Sequence, residues 1–491
     1  MKKKATRNSA AVKKQTPPKK QAAKKTPKKK AAKKKAAKKG TAKKSGTRKK
    51  TPKKAVKEKA TLRKTVAQKD SAKAAVTKKA AKKTSKDQGG ADQHPLQGKS
   101  TVFASTRTNE WQPFPLLRII ESDELLKEKS ARKDELDAQY KKAEKAYELL
   151  SKELKKQKRE MSKNKGKSRT QPKPYYGEVT GMEIGFRTKY GQFVSPLQYV
   201  ITVNVSQKKS EGDLKKRKID PLPASINETP IKVLEGSFEK AAPIDQGNLA
   251  IGLGSVSTPA REDPIFGGQP VAERGHIDNF GTLGFVFQTI DEKKYGLTNT
   301  HVTSKNTVRL ISSGTGSQEV GNVGLAVEKH SSLGRYVDAS YFSLEHLEVE
   351  GIDALPYQIQ DINREDPSLE VFISSKHVDN HFEGISVYKY GARSGKLKEG
   401  LITSAFAEVE IDGDPKKGVF KVKNFSNTFL QPGDSGSLIL MKTEIDTKPA
   451  WLVLGILFAQ LKDNDRVAYV CHISEVIKLL KLEIPERKLV P

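Results

Sequence analysis

A single cysteine, Cys471, in 491 residues leaves no partner for an intramolecular disulfide, and a chain built this way fits a reducing compartment. An apolar opening is also missing. Met1-Lys2-Lys3-Lys4-Ala5-Thr6-Arg7-Asn8 is followed by more lysine where a signal peptide carries its hydrophobic stretch, so secretion by the usual route is not expected. The most apolar run, 451–459, falls well short of the roughly 20 residues that cross a bilayer, and no membrane association is expected. Aromatic residues are absent before Phe103, and acids are scarce in the same region. Residues 1–90 carry 36 Lys and Arg against three acids, Glu58, Asp70 and Asp87, which leaves the rest of the chain with only +2 of the formal +35. The basic character therefore belongs to the N-terminal tail, and the remainder of the chain is near neutral.

With scarcely any large apolar side chain and strong self-repulsion, residues 1–115 cannot bury enough surface to offset the entropy of ordering them, and disorder is expected. Thr26-Pro27-Lys28-Lys29 recurs at Thr51-Pro52-Lys53-Lys54. The composition resembles the C-terminal tails of linker histones and the lysine-rich histone-like proteins of some bacteria. That resemblance implies nucleic acid as partner of residues 1–100. Without aromatic residues to stack on bases, binding would proceed by phosphate neutralisation and would not read sequence. A solubilising arm, or one that binds ribosomes or other acidic surfaces, is the plainer alternative. The expected location is intracellular: cytoplasmic, at the nucleoid of a bacterium or in the nucleus of a eukaryote.

Segment 111–115, Trp111-Gln112-Pro113-Phe114-Pro115, could anchor the tail to the folded part or serve as a recognition motif. Ser122 is placed to cap a helix, with Asp123 and Glu124 in its first turn where negative charge suits the helix dipole. No Gly or Pro interrupts 122–159, and Tyr140, Ala143, Tyr147, Leu150 and Leu154 fall on one helical stripe. The stripe over 120–162 would either pair two chains as a coiled coil, giving a homo-oligomer, or lie against the chain's own folded part. Strand-like alternation then appears at 178–186, 198–205 and 229–234, so 175–240 is expected to form a small α/β domain.

Beyond Asn248 short apolar runs broken by Gly, Asn, Asp and Ser predict an all-β domain over 245–491, closed by a helix at 473–480. Two motifs there carry chemistry. Gly433-Asp434-Ser435-Gly436-Ser437 puts a serine between glycines that permit a tight turn, and Leu297-Thr298-Asn299-Thr300-His301 ends a strand on a histidine. A serine hydroxyl is a weak nucleophile that needs an imidazole base and N–H groups to hold an oxyanion. Asp338, the one acid in the run 336–342, lies between them. Each residue has a plain reading: a histidine on a β domain is usually structural, Asp338 could cap a turn, and Ser435 could be any turn serine. The three in this order are what raise the reading, with His330 the runner-up base and His377 and His381 assigned no role. Cys471 reads as a small core residue.

On these residues the chain resembles the trypsin-like, chymotrypsin-fold serine peptidases of the intracellular, bacterial type, over roughly 245–485. The order His301, Asp338, Ser435 is that of chymotrypsin. The resemblance implies a mainly β fold of two six-stranded antiparallel β-barrels with a C-terminal helix, preceded by the small domain, the charged helix and the basic tail. It also implies a serine endopeptidase acting on protein or peptide substrates, with His301 as base, Asp338 as its orienting acid, Ser435 as nucleophile and the Gly433 and Ser435 N–H groups as oxyanion hole. No metal or organic cofactor is implied.

Two departures limit the likeness. No activation sequence supplies the new N-terminus that pairs with the aspartate before the nucleophile in the secreted enzymes, so Asp434 needs another partner. The pocket floor falls at Phe429, and Phe458-Ala459-Gln460 replaces the Ser-Trp-Gly edge that pairs with substrate. An apolar or narrowed pocket is expected, with cleavage after basic residues disfavoured. The alternative from another class is a nucleic-acid-binding scaffold whose protease-fold domain binds peptides without turnover.

Overall fold

The computed structural model describes residues 118–119, 121–163, 178–189, 192–216, 221–241, 264–274, 280–304, 307–311, 317–344, 347, 351–360, 362–365 and 368–491. The lysine-rich tail, segment 111–115 and most of the linker 161–169 lie outside them. The described residues are mainly β.

Seven strand segments form one sheet in the order Phe280–Thr282, Pro270–Glu273, Thr307–Ile311, Ser317–His330, Tyr336–Ser343, Lys294–Thr298, Phe285–Gln288. Its two outermost members are consecutive in the chain, with only Leu283 and Gly284 between them. The Leu283 N–H donates to Gln269 O at 2.8 Å and the Gly284 N–H to Leu297 O at 2.8 Å, so this bent segment pairs on both sides and closes a ring of six strands. Buried Val271, Leu283, Val286, Val302, Val308, Leu310 and Phe342 fill it. Closure leaves this ring no open seam among the described residues.

A second ring repeats the plan with Ser386–Tyr390, Leu397–Ile411, Asp414–Lys423, Leu438–Ile445, Lys448–Leu461 and Asn464–His472. In both rings the first strand pairs with the second, the second with the third, the third with the sixth, the sixth with the fifth, the fifth with the fourth and the fourth with the first. The second ring closes through the single pair Tyr388↔Leu440. The helix Ile473–Leu480 packs buried Ile473, Val476 and Leu480 into the large core shared with this ring, and ends where Lys481 turns left-handed at φ 54°.

The strands expected of a small α/β domain have no sheet of their own. Val179–Phe186 pairs antiparallel with Leu397–Ile411 through Gly181↔Val409 and Ile184↔Phe406. On its other side lies Tyr199–Val205, which pairs in parallel with Thr229–Glu235. Local alternation predicts these strands, but Val179–Phe186, through which they join the larger sheet, has its partner more than two hundred residues downstream.

The charged helix is in two parts, Ser122–Ala131 and Lys133–Lys163, broken at Arg132 (φ −115°, ψ 23°). The Arg132 guanidinium ties the break to Glu128, Glu135 and the Leu197 carbonyl. Ser122 is the first helical residue, not the cap, which is Glu121. The predicted stripe faces the sheet: Ala143, Tyr147, Leu150 and Leu154 are buried in one cluster with Met182, Ile184, Tyr199, Ile201 and Val203. Burying each large side chain of such a stripe contributes about 1.5–3 kcal/mol, which favours docking on the chain's own strands. That face is then unavailable for a coiled coil. Among the described residues no helix is long and apolar enough to cross a membrane.

Candidate active site

The first ring brings a histidine and an aspartate together through its own hydrogen bonds. Strand Lys294–Thr298 runs into a single helical turn, Thr300–Thr303, which carries His301. Asp338 lies on Tyr336–Ser343, the strand paired with it. The Asn299 side-chain amide donates to the Asp338 carbonyl at 2.6 Å, and the Thr300 N–H donates to Asp338 Oδ1 at 2.8 Å. The other carboxylate oxygen, Oδ2, lies 2.6 Å from His301 Nδ1. Burial alone would raise the Asp338 carboxyl, but the charge and hydrogen bonds of His301, together with the charge of Lys240, outweigh it and hold the group below its ordinary range.

Ser435 comes from the second ring's long turn before Leu438–Ile445, and its Oγ lies 2.6 Å from His301 Nε2. With Nδ1–H donating to Asp338, Nε2 is left as acceptor for the serine hydroxyl. The turn requires glycine on both sides. Gly433 has φ +99° and Gly436 φ +94°, and a Cβ at Gly436 would come within 2.2 Å of the Thr282 carbonyl oxygen. The Asp434 N–H donates to Gln431 O at 2.9 Å and the Gly436 N–H to Leu457 O at 3.0 Å, whereas the Gly433 and Ser435 N–H groups have no acceptor among the described residues. Two unpaired N–H groups thus flank the serine.

Asp434 points inward, and Lys389 meets it. Its Oδ2 accepts from Lys389 Nζ at 2.6 Å, with both side chains fully buried. The Gln431 N–H donates to Oδ2 at 2.9 Å, the Ser394 N–H donates to Oδ1 at 3.0 Å, and the Ser394 hydroxyl also bonds Oδ2. This is the partner that the sequence left open. Lys389 belongs to no motif, yet a signal exists: Val387 and Lys389 share the inward face of Ser386–Tyr390, and an inward lysine requires a buried acid.

The expected pocket residues are closed off. Phe429 is fully buried, its ring 5.6 Å from Lys389 Nζ. Phe458 and Ala459 are fully buried, and Gln460 Nε2 donates to Glu239 Oε1 at 2.6 Å. Ser435 itself keeps 1% of its surface. Of the other histidines, His330 accepts from the Lys417 N–H at 3.2 Å and His377 Nδ1 pairs with Ser474 Oγ at 2.8 Å. Cys471 is fully buried, and burial pushes its thiol well up, which suits an inert core residue.

No family model and no curated protein matches the chain. Among solved structures it is similar to Thermobifida fusca protease A at 18% identity, covering 45% of this chain and 97% of that one with a TM-score of 0.32. A Nocardiopsis protease matches at 15% identity over 45% of this chain and 98% of its own, with a TM-score of 0.31. The active form of a Mycobacterium tuberculosis protease matches at 15% identity over 54% and 94%, with a TM-score of 0.29.

Proposed function

We propose that the chain is a serine endopeptidase. The observation that carries this reading is the pair of 2.6 Å contacts that link Asp338, His301 and Ser435 in one line, beside two unpaired N–H groups. Ser435 Oγ attacks a peptide carbonyl as His301 Nε2 takes its proton. Asp338 holds the imidazole by its Nδ1–H and stabilises the imidazolium, and the Gly433 and Ser435 N–H groups receive the oxyanion. The leaving amine takes the proton from His301, and water then hydrolyses the ester by the same route in reverse. The buried Lys389 supports a turn that forms without a processed N-terminus. Phe429 in the expected floor position favours small or apolar residues before the cut bond.

A fluorophosphonate probe tests the reading. Labelling at Ser435 that is lost in Ser435→Ala supports it. An unlabelled protein, whose activities all survive Ser435→Ala, points instead to the silent scaffold. The tail, on the same proposal, tethers the enzyme to nucleic acid. Duplex DNA binding should then weaken steeply with salt and disappear on deletion of residues 1–100, and salt-independent binding would remove the tether.

A further inference from the structure

The strand beside Ser435 already has an occupant. The Leu457 N–H donates to Ser437 O at 2.9 Å and the Gly436 N–H to Leu457 O at 3.0 Å, so residue 457 is fixed to the turn that carries the serine. From there the strand continues through Phe458, Ala459, Gln460 and Leu461. Along it, antiparallel, lies the chain's own segment Phe238–Lys240, with Leu461↔Phe238, Gln460↔Glu239 and Ala459↔Lys240 in register. The ladder extends one residue further, where the Ala241 N–H donates to Phe458 O at 3.0 Å. The antiparallel direction carries the segment toward the serine-bearing turn as its numbers rise, and Ala241 is its last described residue on that course.

Two side chains mark the same place. Lys240 Nζ donates to Glu328 Oε1 at 2.8 Å, and Glu328 is the register partner of Asp338. Lys240 therefore stands over the strand pair that holds His301's carboxylate. Ala241 is fully buried in one apolar cluster with Phe429, Leu430 and Leu457. An added strand of this kind is held by main-chain hydrogen bonds, with side-chain pockets setting what fits.

We propose that 238–241 is an internal substrate, and that Ser435 cuts the chain between Ala241 and Ala242. This rests on the serine peptidase reading. Ser435 Oγ bonds to the Ala241 carbonyl carbon, the bond to the Ala242 nitrogen breaks, and that nitrogen leaves with the proton held by His301. Water hydrolyses the ester and leaves a carboxylate on Ala241. The substrate class is a peptide with a small apolar residue at the cut and lysine before it. Since Lys389 already occupies Asp434, the new amine at Ala242 has no activating role there. The cut instead leaves Ala241, still paired along the strand that follows Leu457, as a bound product.

Full-length protein and its Ser435→Ala variant, compared by intact mass and N-terminal sequencing over time, test the proposal. The wild type should become two polypeptides, ending at Ala241 and beginning at Ala242, that co-elute under native conditions, while the variant stays whole. Ala241→Arg should slow the cut by about 100-fold or more, with its thermal melt confirming that it folds. A wild type that stays whole but labels with fluorophosphonate at Ser435 overturns the internal substrate and leaves the peptidase standing. A wild type that neither cuts nor labels overturns both. Cutting only at other bonds, or equally in Ser435→Ala, also overturns the proposal.

Discussion

The two rings share one order of strand pairing but hold their chemical groups by different means. In the first, His301 and Asp338 are fixed by neighbouring backbone: the Thr300 N–H and the Asn299 side chain reach across one strand pair. In the second, Ser435 sits on a turn between two left-handed glycines, and a fully buried ion pair anchors that turn from beneath. Short-range hydrogen bonds tolerate loss because each is worth only about 0.5–1.5 kcal/mol net. A buried charge does not, because removing its partner leaves it stranded. Damage to the first ring's site should therefore appear in turnover, and damage beneath the second ring's turn in stability.

The sharpest break is in turnover. Asp338→Asn keeps the size of the side chain but favours the wrong imidazole tautomer, and should lower kcat by about 10⁴-fold with the melting temperature little changed. Peptide hydrolysis alongside a thermal melt checks this, and a comparable loss of both would erase the contrast. Next, Lys389→Ala should cost about 3–5 kcal/mol by stranding Asp434, as read from denaturant titration. The double variant Lys389→Met with Asp434→Leu should recover most of that stability.

The remaining effect concerns pH, at a site away from both. Burial pushes Glu383 up to about 8, against the opposing pull of the Ala405 N–H, the Lys129 charge and Tyr199, with Glu183 adding to the rise. The folded protein then holds a proton on this group that the unfolded chain releases near 4.5. Stability contributed by that proton is lost as pH rises from about 4.5 and levels off above about 8. Glu383→Gln should flatten this slope in melting temperatures measured across the window, and an unchanged slope would assign it to other groups.

Legibility in the sequence depends on sequence distance. His301, Asp338 and Ser435 each sit in a local signature: a strand end, a lone acid in an apolar run, a glycine turn. The closing helix at 473–480 is equally local. Lys389 and Asp434 are 45 residues apart, and only the inward phase of Ser386–Tyr390 hints at their pairing. The strands of 175–240 are visible as strands, but alternation shows which face is buried and not which edge is paired, so it predicts a separate domain where the second ring's sheet continues. The helix stripe is plain in the spacing of its apolar residues. Which surface covers it depends on tertiary packing that no spacing encodes. The segment at 238–241 carries no motif, because a strand that docks through its backbone leaves little mark on its side chains.

Val179–Phe186, hydrogen-bonded to Leu397–Ile411, also bears on where the molecule can be shortened. A truncation beginning at 245, where the expected all-β domain begins, would retain His301, Asp338, Ser435 and Lys389. It would also strip the cover from Phe406–Val409 and leave an open, largely apolar strand edge, the kind of surface through which chains add to one another. Such a fragment is expected to aggregate even with its chemistry intact. A functional minimum for this protein begins before the helix at Ser122, far upstream of its first chemical residue.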